Sequence, residues 1–309
     1  MIDDSSRTVF YSIGSVILEA EDYLPPSYDS FLVRRDHQRV ADLFIVHADK
    51  LHPVSKFHKR AEPADLNVWE ADSPADNYRW TFEKRDGGCT IAVDADYKRA
   101  EYAVLEELSC FPDSEVKNII SPLFQVLTEC KLLQKGYAAL HAATVELNGI
   151  AYAFTGPSGI GKSSRAERWC ELLSAEWISG DRIAIDPYKQ LACGVPWDGK
   201  EQIYRNVNCP IGAILNVKRS GKTQLIEMTM PEKIKLLCEQ CFLPMWDTEL
   251  LQAALQSISC LAKRVPIYEL ACDITDESTY KSYEAIARQT VGSWRDEAKT
   301  GFSDCTDGE

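Results

Sequence analysis

The chain has 309 residues, 45% hydrophobic and 26% charged, a composition that excludes disordered, collagen-like and coiled-coil classes. At this length two domains are the default expectation. Lys and Arg number 34 against 47 Asp and Glu, a net charge of −13, so no general cationic field supports phosphate-backbone binding and nucleic acid is not an expected partner.

No stretch approaches roughly 18 uninterrupted apolar residues, so no membrane span is expected. Met1 to Arg7 is acidic where a signal peptide is basic, which points to a cytoplasmic location. The 11 cysteines are an odd number in a chain of ordinary size and read as reduced thiols, most of them small core residues.

In chain order, residues 1–112 alternate short apolar runs with turn signals and read as a β-rich N-terminal domain. Val9 to Leu18 and Phe31 to Val33 are strand candidates, and Arg79 to Phe82 with Thr90 to Val93 flank Asp86-Gly87-Gly88 as a hairpin. Asp113 to Lys135 carries Val116, Ile119, Ile120, Leu123, Leu127 and Leu132 along one stripe, despite Pro122, and is expected to form a helix joining the halves (113–138). Residues 139–300 form the second domain. There Ala139 to Leu147 and Ile150 to Thr155 are strand-like runs separated by Asn148-Gly149, a strong hairpin signal because both turn positions need positive φ. That register places His141 opposite Gly156.

Helical periodicity follows from Lys162 to about Trp177, with Ala166, Trp169, Cys170 and Leu173 on one face. Ile178 to Ile185 reads as one strand carrying Asp181. Helices are expected after Pro231, which suits a first helical position, and from Asp247 to Lys263. Val265 to Leu270 is the last strand candidate. A final amphipathic helix carries Tyr280, Tyr283, Ile286, Ala287, Val291 and Trp294, and the polar tail 301–309 is expected to be disordered.

The chemistry concentrates in Gly156-Pro157-Ser158-Gly159-Ile160-Gly161-Lys162-Ser163, which fits G-x-x-x-x-G-K-[ST] between a strand and a helix. Glycines let the backbone bend around a polyphosphate, with consecutive N–H groups and the helix start aimed at its charge. The loop and Ser164 are therefore read as an ATP site, with Lys162 reaching the β- and γ-phosphates. Mg²⁺ needs few protein ligands, and the Ser163 hydroxyl with the Asp181 carboxylate would suffice. Asp181 is that ligand or a nearby base. Phosphoryl transfer to a hydroxyl also needs a group to accept the proton, and the hairpin register makes His141 a candidate beside the loop.

The run from Leu140 to Ser163, with its His-bearing strand turning directly into the phosphate-loop strand, resembles the HPr kinase/phosphorylase catalytic domain. The resemblance extends over about Ala139 to Asp186. It implies an α/β P-loop kinase domain of HPr kinase/phosphoenolpyruvate carboxykinase type behind the β-rich N-terminal domain. It also implies ATP- and Mg²⁺-dependent phosphorylation of serine in a peptide or protein, with Lys162 and Ser163 holding nucleotide and metal, Asp181 the catalytic or metal-associated acid, and His141 at the reacting phosphate. Gly194-Val195-Pro196-Trp197-Asp198-Gly199-Lys200 is similar to a segment of HPr kinase-related proteins from peptide-maturation clusters, including kinases of lasso-peptide precursors. One departure is Gly180, where HPr kinases carry a second acid, which puts the reverse phosphorylase activity in doubt.

Other readings stay open: a small-molecule kinase acting on free serine, a carboxykinase-like enzyme, or a non-catalytic ATP-binding regulator. Homo-oligomerisation is also open. Cys238-x-x-Cys241 has redox or zinc spacing without a second pair and reads as two buried cysteines on a helix. His47, His52 and His58 share neither a helical nor a strand face, and Phe57-His58-Lys59-Arg60 reads as a solvated basic patch.

Overall fold

The computed structural model describes residues 8–34, 40–48, 50, 57–61, 66–71, 78–85, 88–104, 113–197 and 202–300. Its elements are β1 (Val9–Ile13), β2 (Val16–Ala20), a 3-10 turn (Pro26–Phe31), β3 (Leu32–Val33), β4 (Leu43–His47), β5 (Phe57–Ala61), β6 (Leu66–Ala71), β7 (Trp80–Lys84), β8 (Cys89–Val93) and β9 (Arg99–Val104). There follow α1 (Asp113–Gln134), β10 (Ala138–Leu147), β11 (Ile150–Thr155), α2 (Lys162–Leu173), β12 (Glu176–Ser179), β13 (Arg182–Asp186), β14 (Leu191–Cys193), β15 (Asn208–Arg219) and β16 (Gln224–Glu227). The chain closes with α3 (Met230–Gln240), α4 (Thr248–Arg264), β17 (Ile267–Cys272) and α5 (Asp276–Thr300).

The architecture is mixed α/β with two large sheets. The first, in the order β3-β1-β2-β4-β9-β8-β7-β6-β5, contains every described strand before α1. Val9 to Leu18 is not one strand: Gly14, at φ 58, turns the chain so that β1 and β2 pair antiparallel with Ile13 opposite Val16. The hairpin expected around Asp86 is present, with Trp80 opposite Val93; Asp86 and Gly87 themselves lie outside the described residues, as do His52, residues 198–201 and the tail 301–309.

The second sheet runs β11-β10-β13-β14-β15-β17-β16, and β11 also pairs with β15. β15 makes this possible by its length. Its first residues pair antiparallel with β14, and its later ones pair in parallel with both β11 and β17. Both faces are covered, which suits parallel strands whose two sides are apolar. Leu237, Ile258 and Leu261 of α3 and α4 pack with Leu140, Ala153 and Ile214 on one face. Ala166 and Trp169 of α2 and Ile286 of α5 pack with Ala143, Phe154 and Leu215 on the other. Among the described residues no helix is long and apolar enough to cross a membrane.

The two sheets share a core. Ile120, Leu123 and Leu127 of α1 are buried in one cluster with Phe82 and Ile91 of the first sheet and with Trp197, Trp246 and Leu250 of the second half. Asp247, 2% exposed, caps α4 by accepting from the N–H groups of Glu249 and Leu250 at 3.0 and 3.1 Å. Its other oxygen accepts from Trp80 Nε1 at 3.1 Å and Tyr97 Oη at 3.2 Å. Ser15 N–H donates to Tyr137 Oη across the same junction. Trp197, in the Gly194 to Lys200 segment, is therefore a core residue, and at Gly194 any Cβ would collide with the Arg205 carbonyl.

Several boundaries differ from expectation. α2 ends at Leu173 because Ser174 adopts the left-handed conformation (φ 60), and Trp177 belongs to β12. α3 starts one residue before Pro231, with the Glu232 carboxylate accepting from the Thr229 N–H and hydroxyl. Ile178 to Ile185 is interrupted: β12 ends at Ser179 and β13 begins at Arg182, leaving Gly180 and Asp181 between them. Cys238 lies on α3 but Cys241 follows its end; both residues are half-buried, and the Cys241 thiol itself is enclosed.

Candidate active site

The β10–β11 ladder has the register read from Asn148-Gly149: Leu147 faces Ile150, and the last pair is Ala142 with Thr155. Thr155 Oγ1 donates to the His141 carbonyl at 2.8 Å, which fixes the end of the His-bearing strand beside the start of the glycine-rich loop. That loop turns at Gly156, Gly159 and Gly161, with φ of 134, 75 and 110. No neighbour would crowd a Cβ at Gly159 or Gly161, so glycine is needed there for the backbone conformation alone. Gly161 caps α2, and the first N–H groups of that helix are a ready anion site.

Lys162 is 8% exposed. Its ammonium donates to the carbonyls of Gly156 at 3.0 Å and Pro157 at 3.4 Å, so the charge lies across the loop rather than in the core. Ser163 is half-buried and Ser164 exposed on the first turn. Arg219, from the end of β15, reaches the loop from outside and donates to Gly159 O at 2.6 Å.

Asp181 owes its place to the interruption of its strand. Its carbonyl accepts from Ala142 N–H at 2.9 Å, and the next residue, Arg182, pairs with His141. The Asp181 side chain is thereby set against the His141 ring, with His141 Nε2 3.2 Å from Asp181 Oδ1. Hydrogen bonding from His141 holds the Asp181 carboxyl below its ordinary range against the opposing effect of burial, and the charges of His141, Arg182 and Lys162 act in the same direction. The three candidates His141, Asp181 and Lys162 thus share one electrostatic site.

Beside the loop, between α2 and the ends of β15 and β17, is a cavity of about 610 Å³ lined by Gly161, Ser164, Arg165, Arg219, Cys272 and Asp273. Its size is that of small-molecule sites. Arg165, 2% exposed, is fixed by donating to Thr279 Oγ1 at 3.2 Å and Cys272 Sγ at 3.0 Å, tying α2 to β17 and α5.

Sequence reasoning missed Arg165, Arg219 and a second layer behind Asp181. Glu129 of α1 is 1% exposed, and its Oε1 lies 3.5 Å from Arg182 Nη1. Burial pushes its carboxyl upward, opposed by Arg182. A carboxylate embedded in Leu127-Thr128-Glu129-Cys130 of an apolar stripe, and an Arg directly after Asp181, were the available signals.

The remaining candidates lie elsewhere. His47 packs against Tyr102, ring centroids 4.9 Å apart; Lys59 is exposed, 5.7 Å over the Trp69 ring. No protein-family model matches the chain, and no curated protein matches it.

Proposed function

We propose that this chain is an ATP- and Mg²⁺-dependent phosphotransferase that moves the γ-phosphoryl group of ATP to a serine hydroxyl of a peptide or protein, using a P-loop domain of HPr kinase/phosphoenolpyruvate carboxykinase type. The observation that carries the reading is the His141–Asp181 pair, 3.2 Å apart, within electrostatic reach of the phosphate-loop Lys162. A glycine-rich loop alone would support nucleotide binding; a carboxylate held ionised beside an imidazole at the same loop supports chemistry on a hydroxyl.

In this reading the loop N–H groups and Lys162 cradle the phosphates, and the nucleoside occupies the cavity lined by Ser164, Arg165 and Arg219. Ser163 and Asp181 offer hard oxygen donors, the ligand type Mg²⁺ takes, and the ion when bound neutralises charge on the β- and γ-phosphates. Asp181, ionised, takes the serine proton or shares in holding the ion, and His141 orients it. The edges of the N-terminal sheet, β3 and β5, offer an extended peptide a place to add as a strand. Gly180, where HPr kinases carry a second acid, is the reason the reverse reaction is not proposed.

Mass spectrometry after incubation with ATP, Mg²⁺ and one of three acceptors tests this: a serine-ended precursor peptide, HPr, and free serine. Phosphate on a peptide or protein serine is expected. Phosphate on free serine alone would favour the small-molecule kinase, and no phosphorylated acceptor with ATP still bound would favour a regulator.

A further inference from the structure

Arg182 stands between two carboxylates of different kinds. Its Nη1 is 3.5 Å from the enclosed Glu129 and its Nε is 3.7 Å from Asp181. The Nε is buried without a hydrogen-bond partner among the described residues, and at 3.7 Å it stops just short of Asp181. On the opposite side His141 Nε2 approaches the other Asp181 oxygen more closely, at 3.2 Å. Glu129 is held in turn by Gln125 Nε2 at 3.4 Å, on a helix packed into the core shared with the first sheet.

An arginine is charged at all working pH and seeks a bidentate carboxylate. Released from Glu129, Arg182 would close onto Asp181 and draw it from His141. We propose that Glu129 is a positioning residue that holds the Arg182 guanidinium off Asp181, so that Asp181 keeps its contact with His141 and its charge stays available to the reacting hydroxyl or the metal. This deepens the phosphotransferase reading and rests on it for its kinetic consequence, though not for its structural one. It also gives α1 a part in the site: the helix that anchors the N-terminal sheet supplies the side chain that sets the geometry of the acid.

The test compares the parent chain with Glu129→Gln and with the double variant Glu129→Gln/Arg182→Gln. Removing a side chain that orients a reactive group costs roughly 10- to 100-fold. Glu129→Gln should lower kcat by about that much, with nucleotide affinity by calorimetry within about twofold of the parent. The double variant should regain most of the loss, because the released cation, not the missing carboxylate, does the damage. A purely structural role for Glu129 predicts the reverse, with the double variant no better than the single.

Long-range ¹H–¹⁵N spectra of the His141 imidazole, assigned with His141→Asn, give a readout independent of turnover. The parent Nε2 signal should be that of a hydrogen-bonded donor, altered in Glu129→Gln and restored in the double variant. If the parent phosphorylates nothing, the kinase reading fails and the His141 spectra alone judge the positioning. Should Glu129→Gln not fold, Glu129→Asp, whose shorter carboxylate falls short of Arg182, should produce a smaller change in the same direction. A His141 signal identical to the parent's in the folded variant overturns the proposal.

Discussion

Replacing Lys162 by Ala removes an ammonium that lies across the phosphate loop. In the protein it donates to two loop carbonyls, Gly156 O at 3.0 Å and Pro157 O at 3.4 Å. Neither contact belongs to the hydrophobic core, so the fold should persist. Its contribution to nucleotide binding is a hydrogen bond between charged groups, worth about 1.5–3 kcal/mol. At about 1.4 kcal/mol per tenfold, Lys162→Ala should weaken ATP binding by roughly 10- to 100-fold, and turnover should be lost with it. Isothermal titration of ATP with Mg²⁺ into the parent and the variant measures the difference, and circular dichroism verifies the fold. An affinity within about twofold of the parent in a folded variant would refute the assignment of this loop to the phosphates.

Asp181→Asn keeps the size of the side chain and removes its charge, so nucleotide should still bind while turnover falls by roughly 10²-fold or more; turnover equal to the parent's would reduce Asp181 to a solvated residue at a strand break. Because the folded Asp181 carboxyl titrates below its ordinary value of 3.8, its contribution to stability is present above that value and is lost as pH falls through the lower folded one. The stability difference between parent and Asp181→Asn in thermal melts should therefore be present above about pH 4 and shrink progressively as pH falls further. Asp247→Ala removes the cap of α4 and strands the buried donors of Trp80 and Tyr97, so it should cost about 2–5 kcal/mol in urea unfolding, and a loss under about 1 kcal/mol would mean that the shared core does not depend on it. Burial pushes the thiols of Cys193 and Cys241 up to about 12 and that of Cys209 up to about 11, so a thiol reagent at neutral pH should label them roughly 10²-fold more slowly in the folded than in the denatured chain; rapid labelling of Cys241 would revive a redox role for the Cys-x-x-Cys spacing.

The site's outline was readable because its elements are local. Asn148-Gly149 fixes the hairpin register, and that register alone puts the end of β10 beside the phosphate loop; the loop glycines then turn the chain into α2. What sequence periodicity could not give is where a strand breaks. Trp177-Ile178-Ser179 and Arg182 to Ile185 have the same alternating apolar character, yet Gly180 and Asp181 leave the ladder between them, and this is what sets Asp181 against His141. Gly14 hid a hairpin in the same way inside the apolar run Val9 to Leu18. The second layer was harder to read for a different reason: the enclosed Glu129 meets the half-buried Arg182 across 53 positions of chain, and so distant a pair leaves no periodic signal, only an acid inside an apolar stripe. The Trp197 segment reads in sequence as a motif, but packing makes Trp197 part of the core joining the two sheets.

The most direct test of phosphoryl transfer follows the label from [γ-³²P]ATP in the presence of Mg²⁺ and a serine-containing acceptor peptide, with the parent, Lys162→Ala and Asp181→Asn run side by side. The proposed mechanism predicts acid-stable label on the acceptor serine with the parent, a loss of roughly 10²-fold or more with Asp181→Asn, and none with Lys162→Ala. Label released by the parent only as inorganic phosphate, or transferred equally well by Asp181→Asn, would contradict it.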